Sequence, residues 1–204
     1  HVALERPDLI SLAAGFTDNA TLPVEEVATL THDLFRNEKA ARAALQYGTT
    51  RGLPQLRHEL LRRWQKQDGV RRFTPDDVVI TNGSQQLLYL VSEVLCDPGD
   101  IVLVEDPTYF VYLGILEAMG LRAFGFDSVA NLQSKIENLK SRRQLRRLKL
   151  VYLVTYFQNP TGHTWSLDAK REALAVVKHY ERAAGHPIYV VEDAAYRDLR
   201  FDGD

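Results

Sequence analysis

The segment from Leu148 to Phe157, LKLVYLVTYF, limits the possible folds of this 204-residue chain more than any other feature. Its apolar residues do not alternate with polar ones, so a strand formed here would bury both of its faces. Strands of this kind lie inside parallel sheets that helices cover on both sides. The segment therefore predicts an α/β fold with this strand near the middle of the sheet.

Strands and helices are expected to alternate on either side of this segment. Helical periodicity predicts helices from Pro23, from about Pro54, after Gly83, across 108–119, and from Ser166 to about Ala184. Further strands are predicted at 78–81, 101–107, 121–127 and 187–193. This order predicts a three-layer α/β/α domain with a mostly parallel sheet. We expect it to span residues 23–204, after an N-terminal arm of residues 1–22 that lacks a clear period.

Composition and charge exclude several classes of protein. The 25 basic and 27 acidic residues give a net charge of −2, so no overall charge attracts the chain to nucleic acid or to an anionic membrane. The single cysteine cannot form a disulfide within the chain, and the six histidines form no metal-binding pattern, so no metal is expected. No apolar stretch is long enough to span a bilayer. Charged residues interrupt the N-terminal segment where a signal peptide needs an apolar core, so we expect a cytoplasmic protein.

One segment departs from this charge balance. Residues 135–149 contain seven basic residues and a single acidic one, Glu137. A patch that binds phosphate or nucleic acid would have this charge, and so would a solvated surface helix. Because no aromatic residues lie between the basic ones, the surface helix is the favoured interpretation.

Distinctive side chains follow four of the predicted strands, at the edge of an open α/β sheet where ligands bind. They are Ser84 and Gln85 after Gly83, Tyr109 in DPTY, Asn159 in QNPTG, and Asp193 in EDAAY. Each has a simpler explanation: Ser84 could cap a helix, Tyr109 could fill the core, and Asn159 could form a turn. Together they supply an anion site, a flat ring, an amide and a carboxylate. That set suits a phosphorylated heteroaromatic ring with a protonated nitrogen, such as pyridoxal phosphate.

Motifs along nearly the whole chain resemble the class I/II aminotransferases of fold type I. They are ISLAAG with a following LP, LQYGTTRGLPQLR, NGSQQLL, DPTY, QNPTG and EDAAY, in that order. GSQQ together with FQNPTG is most similar to the branch that holds 2-aminoadipate, kynurenine and aromatic aminotransferases. The resemblance implies the large domain of a pyridoxal-phosphate enzyme that moves an amino group between an α-amino acid and a 2-oxo acid.

The resemblance also implies a role for each motif residue. Gly83, Ser84 and Gln85 would hold the cofactor phosphate, Tyr109 would stack on the pyridine ring, and Asp193 would pair with the ring nitrogen. Asn159 and Tyr196 would bind the ring oxygen O3′, with Asn159 also near the substrate carboxylate. Tyr47 would reach the phosphate of a partner subunit, which implies a homodimer. Gly15 would lie in the substrate-side loop.

One element of the family pattern is missing from this sequence. The family's lysine that anchors the cofactor lies beyond the motif containing Tyr196, and none of the lysines here follows it. The last strands of the large domain and the small domain are also expected to be absent, so the chain alone is expected to be inactive.

Two other interpretations stay open at this point. The chain could be the ligand-sensing half of a MocR-type transcription regulator, in which case an upstream domain would bind DNA. It could also be a catalytically dead truncated chain. Without such an upstream domain, neither nucleic acid nor membrane is expected as a partner.

Overall fold

The computed structural model describes residues 17–69 and 71–199, and the chain divides into two units between Leu53 and Pro54. In the first unit, helix α1 spans Val24–Arg36 and helix α2 spans Glu38–Leu45. The side chain of Asn37 caps α2 by accepting a hydrogen bond from the Ala40 amide at 3.0 Å. The sequence analysis predicted α1 but not α2, because the alanine-rich sequence EKAARAAL lacks a stripe of large apolar residues.

The second unit carries the remaining helices and the sheet. Its helices are α3 (Pro54–Asp68), α4 (Ser84–Leu95), α5 (Phe110–Ala118), α6 (Val129–Ser141) and α7 (Leu167–Ala184). Its strands are β1 (Ile101–Glu105), β2 (Arg122–Phe126), β3 (Leu148–Val154) and β4 (Tyr189–Asp193). Among the described residues, no helix has both the length and the apolar character needed to cross a membrane.

The four strands form one parallel sheet in the order β2-β1-β3-β4. Strand β3 lies between β1 and β4, and every residue in it except Lys149 is buried. The prediction of an internal strand buried on both faces is therefore confirmed.

Helices cover both faces of this sheet, and each face has its own apolar core. One core packs residues of α6 and α7, such as Ile136 and Val177, against Leu103 and Val151. The other packs α4 and α5 against the opposite face, where Tyr112 and Tyr152 lie. The predicted three-layer α/β/α architecture is thereby confirmed.

The predicted strand at 78–81 is wrong. Residues 78–81 follow a 3₁₀ turn, Pro75–Asp77, and pair with none of the four strands. Val78 still has extended dihedral angles and is 4% exposed, whereas Val79 is 51% exposed. The segment thus keeps the alternation of a strand, but it has no neighbour among the described residues to provide ladder hydrogen bonds.

The basic segment at 135–149 lies mostly on the surface. It begins inside α6, whose buried residues are Leu132, Ile136 and Leu139, and continues through a 3₁₀ turn into β3. Arg147 forms an ion pair with the buried Asp100 at 3.4 Å. This arrangement agrees with the surface-helix interpretation.

Candidate functional site

One cleft brings together five of the residues that the sequence singles out. We call it the strand-end cleft, and it is lined by Ser84, Tyr109, Val154, Asn159, Asp193, Ala195 and Tyr196. Strands β3 and β4 end at Val154 and Asp193, so the cleft lies at the carboxyl edge of the parallel sheet. Ligands of open α/β sheets bind at this edge.

The start of helix α4, which contributes Ser84 to this cleft, has the chemistry that suits an anion. Gly83 occupies the N-cap position with φ 84°, and no side chain caps the helix within the described part of the chain. The first turn also contains no acidic residue. Because the first amides of a helix have no partner inside it, they point outward with the positive end of the helix dipole. The alternative that Ser84 caps this helix is wrong, because Ser84 is already its first residue.

Tyr109 and Gln85 are joined by a hydrogen bond. The Gln85 side-chain amide donates to the Tyr109 hydroxyl at 3.0 Å, which links the anion site to the aromatic ring. Tyr109 is half-buried at the start of α5, where it packs against the apolar core that contains Tyr112 and also lines the cleft. Tyr109 therefore contributes both to the apolar core and to the lining of the cleft.

Asp193 receives hydrogen bonds on both carboxylate oxygens. The Tyr152 hydroxyl donates to Oδ2 at 2.8 Å, and the Ala195 amide donates to Oδ1 at 3.1 Å. Asp193 is nevertheless only half-buried. The reason is that β4 pairs with β3 on one side and with no other strand of the described sheet.

Asn159 is held by its buried neighbour Gln158, which the sequence analysis mentioned only as part of a motif. The side-chain Nε2 of Gln158 donates to the Pro107 carbonyl at 2.5 Å. The side-chain Oε1 of Gln158 accepts from the backbone amide of Thr161 at 2.8 Å. Gln158 therefore ties the loop that carries Asn159 to the loop that carries Tyr109.

Four of the predicted site residues are not among those that line the strand-end cleft, and two of these, Gly83 and Gln85, flank Ser84 at the start of α4. Tyr47 lies in the first unit, where its side chain is 98% exposed. Gly15 lies outside the described residues. Their roles stay predictions.

The sequence analysis also missed Glu105, at the end of β1. Its carboxylate accepts hydrogen bonds from the Trp165 indole at 2.7 Å and from the Val154 amide at 2.5 Å. Burial raises the pKa of this carboxyl group, and the two donated hydrogen bonds only partly offset that effect. The signal that could have found it is an acidic residue at the end of an otherwise apolar strand.

Glu105 lines a second, larger cavity of about 400 Å³, together with Asp127, His163, Trp165 and residues of α6 and α7. None of the residues singled out for the site lines this cavity. Among the described residues, no group of histidine, cysteine or acidic side chains is arranged to hold a metal ion. The strand-end cleft is therefore the better candidate site, although the other cavity is larger.

Gly125 on β2 makes room for the loop that leads to Tyr109. A Cβ atom at Gly125 would lie 2.7 Å from the Asp106 Cβ and 2.9 Å from its Oδ2. The Asp106 amide also donates to the Phe126 carbonyl at 2.8 Å, so the loop lies directly against β2.

We expect Gly125→Ala to lower the free energy of unfolding by about 1–3 kcal/mol, because Asp106 must move. Urea unfolding would measure the change. Gly114→Ala is a matched control, because a Cβ at this position in α5 meets no atom within 4 Å. It should raise stability by about 0.5–1 kcal/mol through helix propensity. Equal effects of the two variants would contradict the close approach.

Known proteins share the sequence pattern and the fold of this chain. The family model described as aminotransferase class I and II matches residues 7–203. The aromatic-amino-acid aminotransferase 1 of Thermococcus litoralis is 34% identical over 98% of this chain, which covers 47% of that relative. The 2-aminoadipate transaminase of Thermus thermophilus is 36% identical over 97% of this chain, which covers 46% of that relative. The chain thus spans about half the length of these relatives.

A solved structure and a relative of another kind extend the comparison. The kynurenine aminotransferase of Pyrococcus horikoshii, crystallised in complex with PMP, superposes with a TM-score of 0.86 at 35% identity. That alignment covers 100% of this chain and 49% of the other. An uncharacterized HTH-type transcriptional regulator of Escherichia coli is 28% identical over 96% of this chain, which covers 40% of it.

Proposed function

Because this chain belongs to the class I and II aminotransferase family, we propose that the whole protein moves an amino group between an α-amino acid and a 2-oxo acid. Pyridoxal phosphate is the cofactor of this proposal, as the family and the PMP-bound structural neighbour indicate. The observation that carries the proposal is the strand-end cleft, in which an open helix N-terminus, a tyrosine ring, an amide and a carboxylate face one space.

The residues of the cleft fit the parts of this cofactor. The uncapped amides of α4, with Gly83, Ser84 and Gln85, suit the phosphate, and the flat face of Tyr109 suits the ring. Asp193 would hold the proton at the ring nitrogen, because a carboxylate favours a charged partner. Asn159 and Tyr196 would donate to the ring oxygen, and Asn159 would also lie near the substrate carboxylate.

Bound pyridoxal phosphate supplies a ring that draws electrons from the α-carbon of an amino acid, and the protein directs that chemistry. Asp193 keeps the nitrogen of the ring positively charged. Tyr109 would pack against the ring and help to exclude water from it. Asn159 orients the substrate, and the α4 N-terminus fixes the phosphate, so that the reacting carbon has a defined position.

The finer assignments are further parts of this proposal. The branch of the similar proteins favours aromatic amino acids, kynurenine or 2-aminoadipate as substrates. A cytoplasmic homodimer would allow Tyr47 to reach the partner subunit's phosphate, and Gly15 would face the substrate. Residues 23–204 would form the corresponding part of the large domain.

The similarity to an HTH-type regulator supports one alternative, in which the same cleft senses a ligand rather than turning it over. The two functions differ in a simple measurement on the whole protein. Amino-group transfer to a 2-oxo acid supports the aminotransferase, whereas cofactor binding without transfer, together with specific DNA binding, supports the regulator.

Cofactor binding at the α4 N-terminus is tested by Ser84→Asp. A carboxylate there should weaken binding of pyridoxamine phosphate (PMP) by about 100-fold or more, because it repels the phosphate. It should not unfold the helix, because an acidic residue in the first turn is favourable. Fluorescence titration with PMP is the measurement, since PMP needs no lysine to bind.

Ser134→Asp is the matched control. Ser134 is exposed in α6 and does not line the cleft, so this substitution adds the same negative charge elsewhere on the surface. Pyridoxamine without its phosphate is the second control, and its affinity should differ little between the variants. Failure of the unchanged protein to bind PMP, or equal PMP affinity in both variants, would contradict the proposed site.

A further inference from the structure

Tyr152 is a buried tyrosine whose hydroxyl contacts the site carboxylate. It lies in β3, its side chain has no solvent exposure, and its hydroxyl donates to Asp193 Oδ2 at 2.8 Å. The ring packs at 4.4 Å, centroid to centroid, on Tyr112 of α5. The ionisable groups that influence it are Asp193 of β4, Tyr112 of α5 and Glu105 of β1. A buried hydroxyl aimed at one carboxylate oxygen is well placed to control how that carboxylate binds a proton.

Burial and the negative charge of Asp193 both raise the pKa of Tyr152. The hydroxyl therefore keeps its proton and remains a donor at any ordinary pH. A donor at this position stabilises the ionised form of Asp193, since hydrogen bonds to a charged carboxylate are stronger than those to a neutral one. It also fixes the rotation of the carboxyl group, because the Ala195 amide holds the other oxygen.

We propose that Tyr152 is a positioning residue that keeps Asp193 ionised and oriented, so that the bound cofactor retains the proton on its ring nitrogen. This inference rests on the proposed function. Without the hydroxyl, Oδ2 of Asp193 loses its donor and the carboxylate is free to rotate, so it would hold the proton at the ring nitrogen less firmly. The ring then carries less positive charge, although every residue in contact with the cofactor is still present.

Tyr152→Phe tests this role with a readout of the proton itself. The ¹⁵N resonance of PMP labelled at the ring nitrogen reports whether that nitrogen is protonated. In the variant we expect the resonance of bound PMP to move toward its unprotonated value. The pH at which the nitrogen loses its proton should fall by about 1, and PMP affinity should fall by about tenfold.

Tyr112→Phe is the matched control. Tyr112 is also fully buried on the same face of the sheet, but its hydroxyl shares a hydrogen bond of 2.9 Å with Ser92. Each variant removes one buried hydroxyl from one of two adjacent rings. Tyr112→Phe should therefore leave the ¹⁵N resonance of bound PMP and its pH dependence unchanged.

The outcomes separate this inference from the proposed function. If the unchanged protein does not bind PMP, the proposed function fails. If PMP binds but Tyr152→Phe leaves the ¹⁵N resonance unchanged, or moves it no more than Tyr112→Phe does, the role of Tyr152 is overturned.

A measurement on the unchanged protein covers the case in which Tyr152→Phe fails to fold. The hydroxyl proton of Tyr152 is buried, so we expect an NMR resonance that shifts when PMP binds. The absence of any shift on saturation with PMP would overturn the proposal as well.

Discussion

Replacing Asp193 with alanine is expected to slow removal of the α-proton from a bound amino acid by about 10³-fold, while weakening cofactor binding by only about tenfold. In the proposed reaction, the carboxylate would matter more to the rate than to binding, because a positive ring nitrogen absorbs charge that develops when the α-proton leaves. In the proposed site, binding would also draw on the α4 N-terminus and on Tyr109, both of which remain. Exchange of the α-hydrogen in deuterated water, followed by NMR on the whole protein, would measure the rate, and PMP titration would measure the affinity.

Glu192→Ala is the control for this variant. Glu192 is the adjacent residue of β4, but its carboxylate accepts from Thr155 at 2.6 Å and from Lys170 at 2.9 Å and does not line the strand-end cleft. Glu192→Ala removes the same charge one residue away from Asp193, so the rate of α-hydrogen exchange should change by less than about tenfold. Equal losses of rate and of affinity in Asp193→Ala would count against its role at the ring nitrogen.

The sequence predicted those parts of the site that depend on strand ends. In a parallel sheet, the carboxyl ends of neighbouring strands lie at one edge, so Asn159 and Asp193 had to lie near each other once β3 and β4 were recognised. Tyr109 and Ser84 were predicted by the same logic. The error in the strand expected at 78–81 did not affect this reasoning, because that segment still leads to Gly83, the N-cap residue of α4.

The contacts that support the site could not be predicted in this way. Tyr152 meets Asp193 across 41 residues, Gln158 meets Pro107 across 51, and Glu105 meets Trp165 across 60. A period or a motif describes neighbours along one element, whereas these pairs depend on strand order, register and side-chain rotamer. Tyr152 also appears in the sequence as an ordinary member of a strand, so nothing local distinguishes it, whereas Glu105 is at least the one acidic residue of an apolar strand.

Glu105→Ala is expected to lower the free energy of unfolding by about 2–5 kcal/mol. The substitution leaves two buried donors, the Trp165 indole and the Val154 amide, without their acceptor. Each buried donor without a partner costs about 1–3 kcal/mol, because it has lost water as well as its hydrogen bond. Urea unfolding would measure the change. Glu117→Ala, at an exposed position of α5, should change stability by less than about 0.5 kcal/mol.

The loss of stability in Glu105→Ala is expected to depend on pH, which would identify the Glu105 carboxyl group as its source. Burial raises the pKa of Glu105 above 4.5, so the folded protein binds a proton there at a pH where the unfolded chain has released it. Stability from this group is therefore greatest below the unfolded pKa and is lost as pH rises through the folded pKa. The destabilisation caused by Glu105→Ala should accordingly be larger near pH 4.5 than at neutral pH. A difference that grows with rising pH would contradict this assignment.

The same variant should also affect the cleft. Glu105 holds the end of β3 at Val154 and the return of the chain at Trp165, and Asn159 lies on the segment between these two points. Removing the carboxylate frees both ends of that segment, so PMP affinity should fall even where the protein remains folded. Unchanged affinity in a folded Glu105→Ala protein would mean that Gln158 alone is sufficient to hold the Asn159 loop.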